Sequence, residues 1–567
     1  MILKHRHFVW LPLALALALM AGLAGALESP DSPQPTPITG AVLTADGPLA
    51  GAVVRVQGQA DYALTDAQGR FSLDAPASAG GDVSITASAA GMYIEQAVWP
   101  GSGEVTLTLR RHHTTDHLEY AFISPVLDPD HESACMRCHA ARDSGLSLPV
   151  DEWLQDAHAG AAVNPRFLSF YNGTTLDGTT GGLTAYRFDA ALGIDVPVAP
   201  SQGQSEAGVG FRLDFPDSGG NCAACHVPIL ALEAAHNADP NAATGVAAEG
   251  ITCDFCHKIA GVRLGPDGLP SPHLPGVLSI DLLRPPEGEQ IFIGPLDDSP
   301  GDDVYSPLQN QSQFCATCHT GTFWGVSIYN SFGEWLDSPY SDPETGQTCQ
   351  DCHMPPLGMT TFVELPPDVT QHVPERDPAT IFSHRMPGAA DVKLLQNTAE
   401  LTLDVTREGD SLTAGVTVTN SGAGHHIPTD NPLRNIILVV EARDADGQPL
   451  ALVEGPTLPV WAGVGDPAKG YYAGLPGVFY AKILADFYTG ETPAYAYWRQ
   501  TRLVSDNRIP ALGSDSSTYR FAAPTGSGPI TVTARLLLRR AFIEVMDLKG
   551  WDTPDILMEE ASRRVAE

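Results

Sequence analysis

The sequence predicts a multidomain chain with an N-terminal β-sandwich, a central region of mostly irregular and short α-helical structure, and a C-terminal β-sandwich with a helical tail. Three observations carry that reading. Apolar and polar residues alternate with period two towards both ends, the middle is rich in Gly and Pro without a sustained period, and all ten cysteines fall inside that middle.

The first element is residues 1–26. Lys4 and Arg6 precede an uncharged run from Phe8 to Leu27, which closes on Ala24-Gly25-Ala26. This pattern predicts a secretory signal removed before Leu27 and a mature chain exported to the periplasm or the cell surface. A retained anchor is the rival, since about twenty apolar residues can span a bilayer. No cysteine stands at the cleavage point to take a lipid, and no later segment is long and apolar enough to span. LESPDSPQPT makes 27–36 a Pro-rich linker.

In residues 37–110, ITGAVL, GAVVRVQG, GRFSL, VSITAS and EVTLTL alternate in character and are parted by DGP, TDAQG and SAGGD turns. They predict an antiparallel sandwich. It has no catalytic constellation and reads as a binding or spacing module.

Residues 111–394 hold every cysteine in one pattern: Cys135-x-x-Cys138-His139, Cys222-x-x-Cys225-His226, Cys253-x-x-Cys256-His257, Cys315-x-x-Cys318-His319 and Cys349-x-x-Cys352-His353. Two thiols at this spacing form thioethers to the two vinyl groups of a haem, and the adjacent histidine reaches the iron as proximal ligand. Five motifs imply five c-type haems. Disulfides are permitted in an exported chain but give no reason for the following histidine. Zinc takes Cys-x-x-Cys pairs, but five pairs do not divide into four-cysteine sites. The region therefore reads as a haem-packed multihaem cytochrome c domain, with porphyrins replacing the missing side-chain core and short helices carrying the motifs.

Each iron has a second face. A second His gives a low-potential electron carrier, whereas a vacant face can activate a small molecule. His158 is well placed, with Asp151 expected to cap a short helix on which Leu154 and His158 share a face. Gly or Pro flank His384 in FSHRMPGA and His425 in GAGHHIPTD, which suits rigid delivery to an iron. His112, His113 and His117 crowd the link into the region, and His112 is the expected ligand among them. His131, His236, His273 and His372 lack distinguishing context, and His426 is the neighbour of a better candidate. EWLQDAHA at 152–159 recurs as EWLDSPYS at 334–341, each after a Cys-x-x-Cys-His run, so that Tyr340 stands where His158 stood. Either Tyr340 packs beside a porphyrin while another histidine serves, or it lines the pocket of a five-coordinate iron.

Residues 395–540 contain LTLDV, LTAGVTVTN, NIILVVEARDADGQPL and ITVTARLLL, a second sandwich. FIEVMDLKGWDTPDILMEEASRR in 541–567 reads as a helical tail. The acids of GPLDDSPGDDVY lack the ligand spacing of a calcium loop and read as solvated.

The stretch from about 120 to 430 resembles the exported multihaem c-type cytochromes related to the tetrahaem electron carriers of nitrifying bacteria, through EWLQDAHA, EGITCDFCHK, FCATCH, EWLDSPY, TCQDCHMP and GAGHHIPT. The resemblance implies distal ligation by His158, His384 and His425, and electron transfer without specifying a reaction. All five motifs end in His, so the lysine variant of the pentahaem nitrite reductases is absent. Residues 37–110 resemble the carboxypeptidase regulatory-like, prealbumin-like domains, through DGPLAGAVVRVQG and TDAQGRFSL.

The formal net charge is −35. Nucleic acid and anionic membranes are poor partners for such a chain, and a basic redox protein is the expected one. The expected function is electron transfer. The alternatives are a reductase or oxidase of a small nitrogen or sulfur compound at one five-coordinate haem, and a surface or filament conduit.

Overall fold

Alternation in ITGAVLT leaves Ile38 and Val42 with no exposure while Thr39 and Ala41 face outward in part. In the computed structural model, which describes residues 37–76, 82–126, 134–198, 207–370 and 373–566, this segment is the strand Ile38–Thr44. The expected signal at 1–26 and linker at 27–36 lie outside the described residues. The strand pairs antiparallel with Gly47–Pro48 and Arg70–Leu73, and parallel with Glu104–Thr108. A second sheet orders Tyr62–Leu64, Val53–Val56, Val83–Ser88 and Glu95–Trp99. Val42 and Leu107 of the first sheet share one apolar cluster with Val54 and Ile85 of the second. The expectation of a purely antiparallel arrangement is thus corrected at one ladder. Glu104–Thr108 arrives from the other sheet as a crossover, which permits parallel pairing where a hairpin does not.

The central region is built of short pieces. Its longest described helix is Pro165–Asn172, capped by Asn164, whose side chain accepts from the N–H groups of Arg166 and Phe167. Four of the cysteine motifs lie on single helical turns, at Met136–His139, Ala223–His226, Cys253–Cys256 and Cys349–His353. The fourth motif starts on Gln313–Ala316 and finishes in the following turn. Thr252 and Thr348 cap the third and fifth of these turns through their hydroxyls.

Towards the C-terminus, Glu400–Glu408, Ser411–Thr419, Ser514–Ala522 and Leu452–Glu454 form one sheet. Gly477–Tyr480, Asn435–Arg443, Ile530–Arg539 and Ile556–Val565 form another. Leu412 and Val416 of the first meet Leu438, Val532 and Leu536 of the second in one cluster. The helical tail is corrected. Ile543–Lys549 is helical and ends at Gly550 in the left-handed region (φ 67°). ILMEEASRRV then runs as the strand Ile556–Val565 along Ile530–Arg539. An open edge of the sheet and burial of Met558 at 2% exposure outweigh the helix propensity of Met, Glu, Ala and Arg.

Buried and half-buried charges fasten the regions together. The acids of GPLDDSPGDDVY, expected to be solvated, include two such joints. Asp297 pairs with Arg55 at 2.6 Å, and Asp298 pairs with Arg376 at 2.6 Å while accepting from the Gly58 N–H at 2.7 Å. Sequence spacing hid both partners, which lie far along the chain. At the other end, Asp214 accepts from Arg499 Nε and Trp498 Nε1, both at 2.7 Å. Lys549 has no exposed surface and donates to the carbonyls of Ser169, Thr174 and Val209. No described helix is long and apolar enough to cross a membrane.

Candidate haem-ligand sites

All ten cysteines are unbridged, and thiols of different motifs meet: Cys135 with Cys253, Cys225 with Cys318, and Cys315 with Cys349. The contacts run between motifs and not within them, so the two thiols of one motif stay available to one group.

An imidazole that binds iron through Nε2 normally donates its Nδ1–H to a fixed acceptor. His139 donates to the Phe362 carbonyl at 3.2 Å, His257 to that of Ile293 at 2.9 Å, and His353 to that of Pro387 at 2.7 Å. The Ala161 carbonyl accepts from His226, whose ring stacks on Phe167 with centres 3.9 Å apart. Three of the expected distal ligands repeat the pattern. His384 donates to the Phe382 carbonyl at 3.1 Å, His425 to that of His426 at 2.9 Å, and His158 to the carboxylate of Asp156 at 2.7 Å. Each leaves Nε2 as the nitrogen directed elsewhere. Burial pushes His226 and His384 down to about 4, which keeps these imidazoles neutral. Burial would also lower His158, but the hydrogen bond and charge of Asp156 outweigh it and hold His158 above the usual histidine value.

Two of these rings face a proximal histidine. The centres of His158 and His319 are 6.2 Å apart, and those of His425 and His353 are 6.4 Å apart. Two imidazoles on opposite faces of one metal, each bound at about 2 Å with its ring centre about 1 Å behind the nitrogen, need centres about 6 Å apart. The residues present therefore fit an iron between each pair. Among the described residues no three His, Cys, Asp or Glu side chains converge as they would on a bare ion.

His384 lies within electrostatic reach of both His257 and His139. His112, His113 and His117 stack edge to face, with centres 6.2 and 5.9 Å apart. His112 donates to the His113 carbonyl at 2.6 Å, whereas both ring nitrogens of His113 are enclosed and burial lowers its pKa. The stretch that carries them is clamped by Asp116, which takes three bonds from Arg284, one from its backbone N–H and two from its guanidinium, and by Tyr120, which donates to Asp254 at 2.8 Å. Asp254 in turn pairs with the fully buried Lys258 beside the third motif. His236 and His273 are exposed, and His131 and His372 lie outside the described residues.

The geometry that delivers His158 differs from the sequence expectation. The helix Pro149–Trp153 ends before Leu154, so Leu154 and His158 do not share a helical face. Asp151 sits inside the first turn, where its carboxylate reaches back to the N–H groups of Leu148 and Ala141. Pro149 and this acid favour the helix start, but the turn that follows is set by Asp156, which accepts from the N–H groups of Ala157 and His158. Tyr340 contributes to an apolar cluster with Trp335, Phe332 and Ala316. Its side chain lies against Gly424, directly before His425, where an added Cβ would come within 3.2 Å of the ring.

No protein-family model matches the chain, and no curated protein matches it. Among solved structures it is similar to a penta-heme cytochrome c552 from Thermochromatium tepidum, at 19% identity over 76% of this chain and 97% of that chain, with a TM-score of 0.50. The likeness shows a shared fold. Two further matches are the human F-spondin reeler domain (11% identity, 30% of this chain and 87% of that chain) and a family 123 glycoside hydrolase from Clostridium perfringens (10% identity, 30% and 26%). Both have a TM-score of 0.12 and add nothing to the fold.

Proposed function

We propose that the chain is an exported c-type cytochrome that carries electrons through five covalently bound haems. The observation that carries this reading is the facing of His158 on His319 and of His425 on His353 at the spacing one iron requires, with the outward nitrogens of three of the four rings already bonded. Haem iron supplies reversible one-electron exchange when bound. The chain's own residues hold the macrocycles through the cysteine pairs, fix the ring orientations through backbone carbonyls, and exclude water by burial. The contacts between thiols of the first and third, second and fourth, and fourth and fifth motifs support close neighbours for electron passage.

In this reading His158 serves the fourth motif and His425 the fifth. His384 serves the first or third, and the trio of His112, His113 and His117 supplies the other, with His113 favoured over His112 because its nitrogens are the enclosed ones. The paired sheets at the ends are β-sandwich modules, the first of the carboxypeptidase regulatory-like kind, and the acidic surface receives a basic redox protein. The decisive experiment is the intact mass of the secreted protein with its reduced and oxidised spectra. Five haem increments and low-spin bands are expected. Free thiols without added mass would overturn the reading.

One observation favours a second reading, a small-molecule reductase or oxidase. These assignments leave the second motif without a histidine opposite His226, and the phenols of Tyr329 and Tyr497 approach its thiols. A high-spin ferric fraction that shifts on adding a small ligand would establish it, and an entirely low-spin spectrum would exclude it.

A further inference from the structure

Seven expected ligand histidines bond through Nδ1, counting His112 on the His113 carbonyl, and only His158 is bonded there to a carboxylate. The Asp156 side chain is 1% exposed. Among the described residues its partners are the N–H groups of Ala157 and His158 and the His158 ring, and no Lys or Arg pairs with it. The second copy of the motif shows that the turn itself needs no charge. Ser338 occupies the position of Asp156, and its hydroxyl accepts from the Tyr340 N–H at 3.2 Å as Asp156 accepts from the His158 N–H at 3.2 Å. A neutral side chain thus closes the same turn where no ligand histidine follows. An acid stands only where one does.

Resting on the five-haem reading, we infer that Asp156 is a positioning residue whose buried carboxylate lowers the reduction potential of the iron shared by His158 and His319. A carboxylate acceptor pulls the Nδ1–H towards itself and makes the imidazole a stronger donor through Nε2. The stronger donor and the uncompensated negative charge both favour ferric over ferrous iron. A backbone carbonyl does this only weakly. The iron of the fourth motif is therefore set below the level it would have with a neutral acceptor, which makes it a step that electrons cross and do not rest on.

The test is a spectroelectrochemical titration of the holoprotein, with ferric electron paramagnetic resonance, on wild type, Asp156→Asn and Asp156→Ser. Asn keeps an acceptor oxygen without the charge, and Ser transplants the second copy's residue. The expected result is one of the couples shifted to higher potential in both variants, with the same number of low-spin signals as wild type. Ser338→Ala should move none. Unmoved couples with an unchanged low-spin spectrum would overturn the inference, and so would a new high-spin fraction with the remaining couples unmoved, since the acid would then only hold the ring. A mass without haem increments is a separate outcome, which overturns the underlying reading and the inference with it.

Discussion

The stretches Glu152–His158 and Glu334–Tyr340 fold alike and end differently. In each the tryptophan indole donates to the carbonyl two residues ahead of a motif cysteine, Trp153 to Ile251 at 2.9 Å and Trp335 to Gln347 at 2.8 Å. The sixth residue on from the glutamate accepts the N–H of that same residue, His158 from Ile251 and Tyr340 from Gln347. A glycine stands just before it in both, because a Cβ at Gly250 would lie 2.4 Å from the His158 carbonyl and one at Gly346 2.2 Å from that of Tyr340. The buried glutamates each hold a loop that bears an expected distal histidine: Glu152 accepts the His384 N–H at 2.7 Å, and Glu334 accepts that of His426 at 3.3 Å. The copies thus share one scaffold that fixes how the chain approaches a motif. What differs is that the first also supplies an imidazole, whereas the second supplies a phenol that packs against the loop carrying His425. In the proposed reading Tyr340 supports the loop of another ligand and does not stand in for a lost one.

The sharpest way to break that comparison is to remove each terminal side chain. His158→Ala should convert one of the low-spin irons to high spin, seen in the ferric spectrum, because its loop holds no second histidine. Tyr340→Phe should leave every low-spin iron as it is in the wild type. Equal spectra for the two variants would sink the distinction.

The next effect concerns the two glutamates. Burial would raise Glu334, but hydrogen bonds from His426 and Thr429 and the charge of Arg508 outweigh it and bring its pKa to about 2. A carboxyl lowered from an ordinary value of 4.5 to about 2 contributes about 3 kcal/mol, present above pH 4.5 and lost as the pH falls through 2. Glu334→Gln should cost about that much at pH 7 by denaturant unfolding, and the gap from wild type should close towards pH 2. A gap that is constant with pH would show that the charge is idle.

Much of this scaffold is legible in the sequence and its wiring is not. Ten cysteines in one pattern name the expected proximal histidines without help from three dimensions, and the repeat announces itself in two similar octapeptides. The partners of Glu152 and Glu334 come from stretches that no spacing connects to them. The same holds for Asp297 with Arg55, where local composition suggests a solvated run. The tail fails for a related reason: MEEASRR carries helical propensity, and only an open sheet edge elsewhere in the chain turns it into a strand. Choosing His113 over His112 likewise needs burial, since the two are adjacent in sequence and alike in context.

The glycines give a smaller effect. Gly250 has φ +81°, and Gly250→Ala adds left-handed strain to the clash with His158, at about 1–3 kcal/mol. Gly346 lacks the positive φ, but a Cβ there would meet two backbone oxygens, that of Tyr340 at 2.2 Å and that of Asp342 at 2.4 Å, so Gly346→Ala loses stability through the clash alone. Thermal unfolding should show both variants destabilised, and the Gly250 variant alone should also perturb the iron facing His158. An unchanged ferric spectrum in the Gly250 variant would mean that its strain does not reach the His158 loop.

The smallest expected difference lies in the indoles. Trp153→Phe and Trp335→Phe each delete one hydrogen bond while keeping most of the apolar body. A net loss of about 1 kcal/mol is usual where the stranded acceptor is shielded. The Ile251 carbonyl belongs to a half-buried residue packed against the apolar cluster that includes Ala162, Ala223 and Ala224 of the long insertion carrying the second motif. Gln347 is exposed, because only a short loop joins it to Tyr340, and water can replace the lost donor there. Trp153→Phe should therefore lose about 1 kcal/mol and Trp335→Phe distinctly less, read from paired denaturant curves. Equal losses would show that the insertion carrying the second motif does not seal the first copy, and that water reaches both indole hydrogen bonds equally.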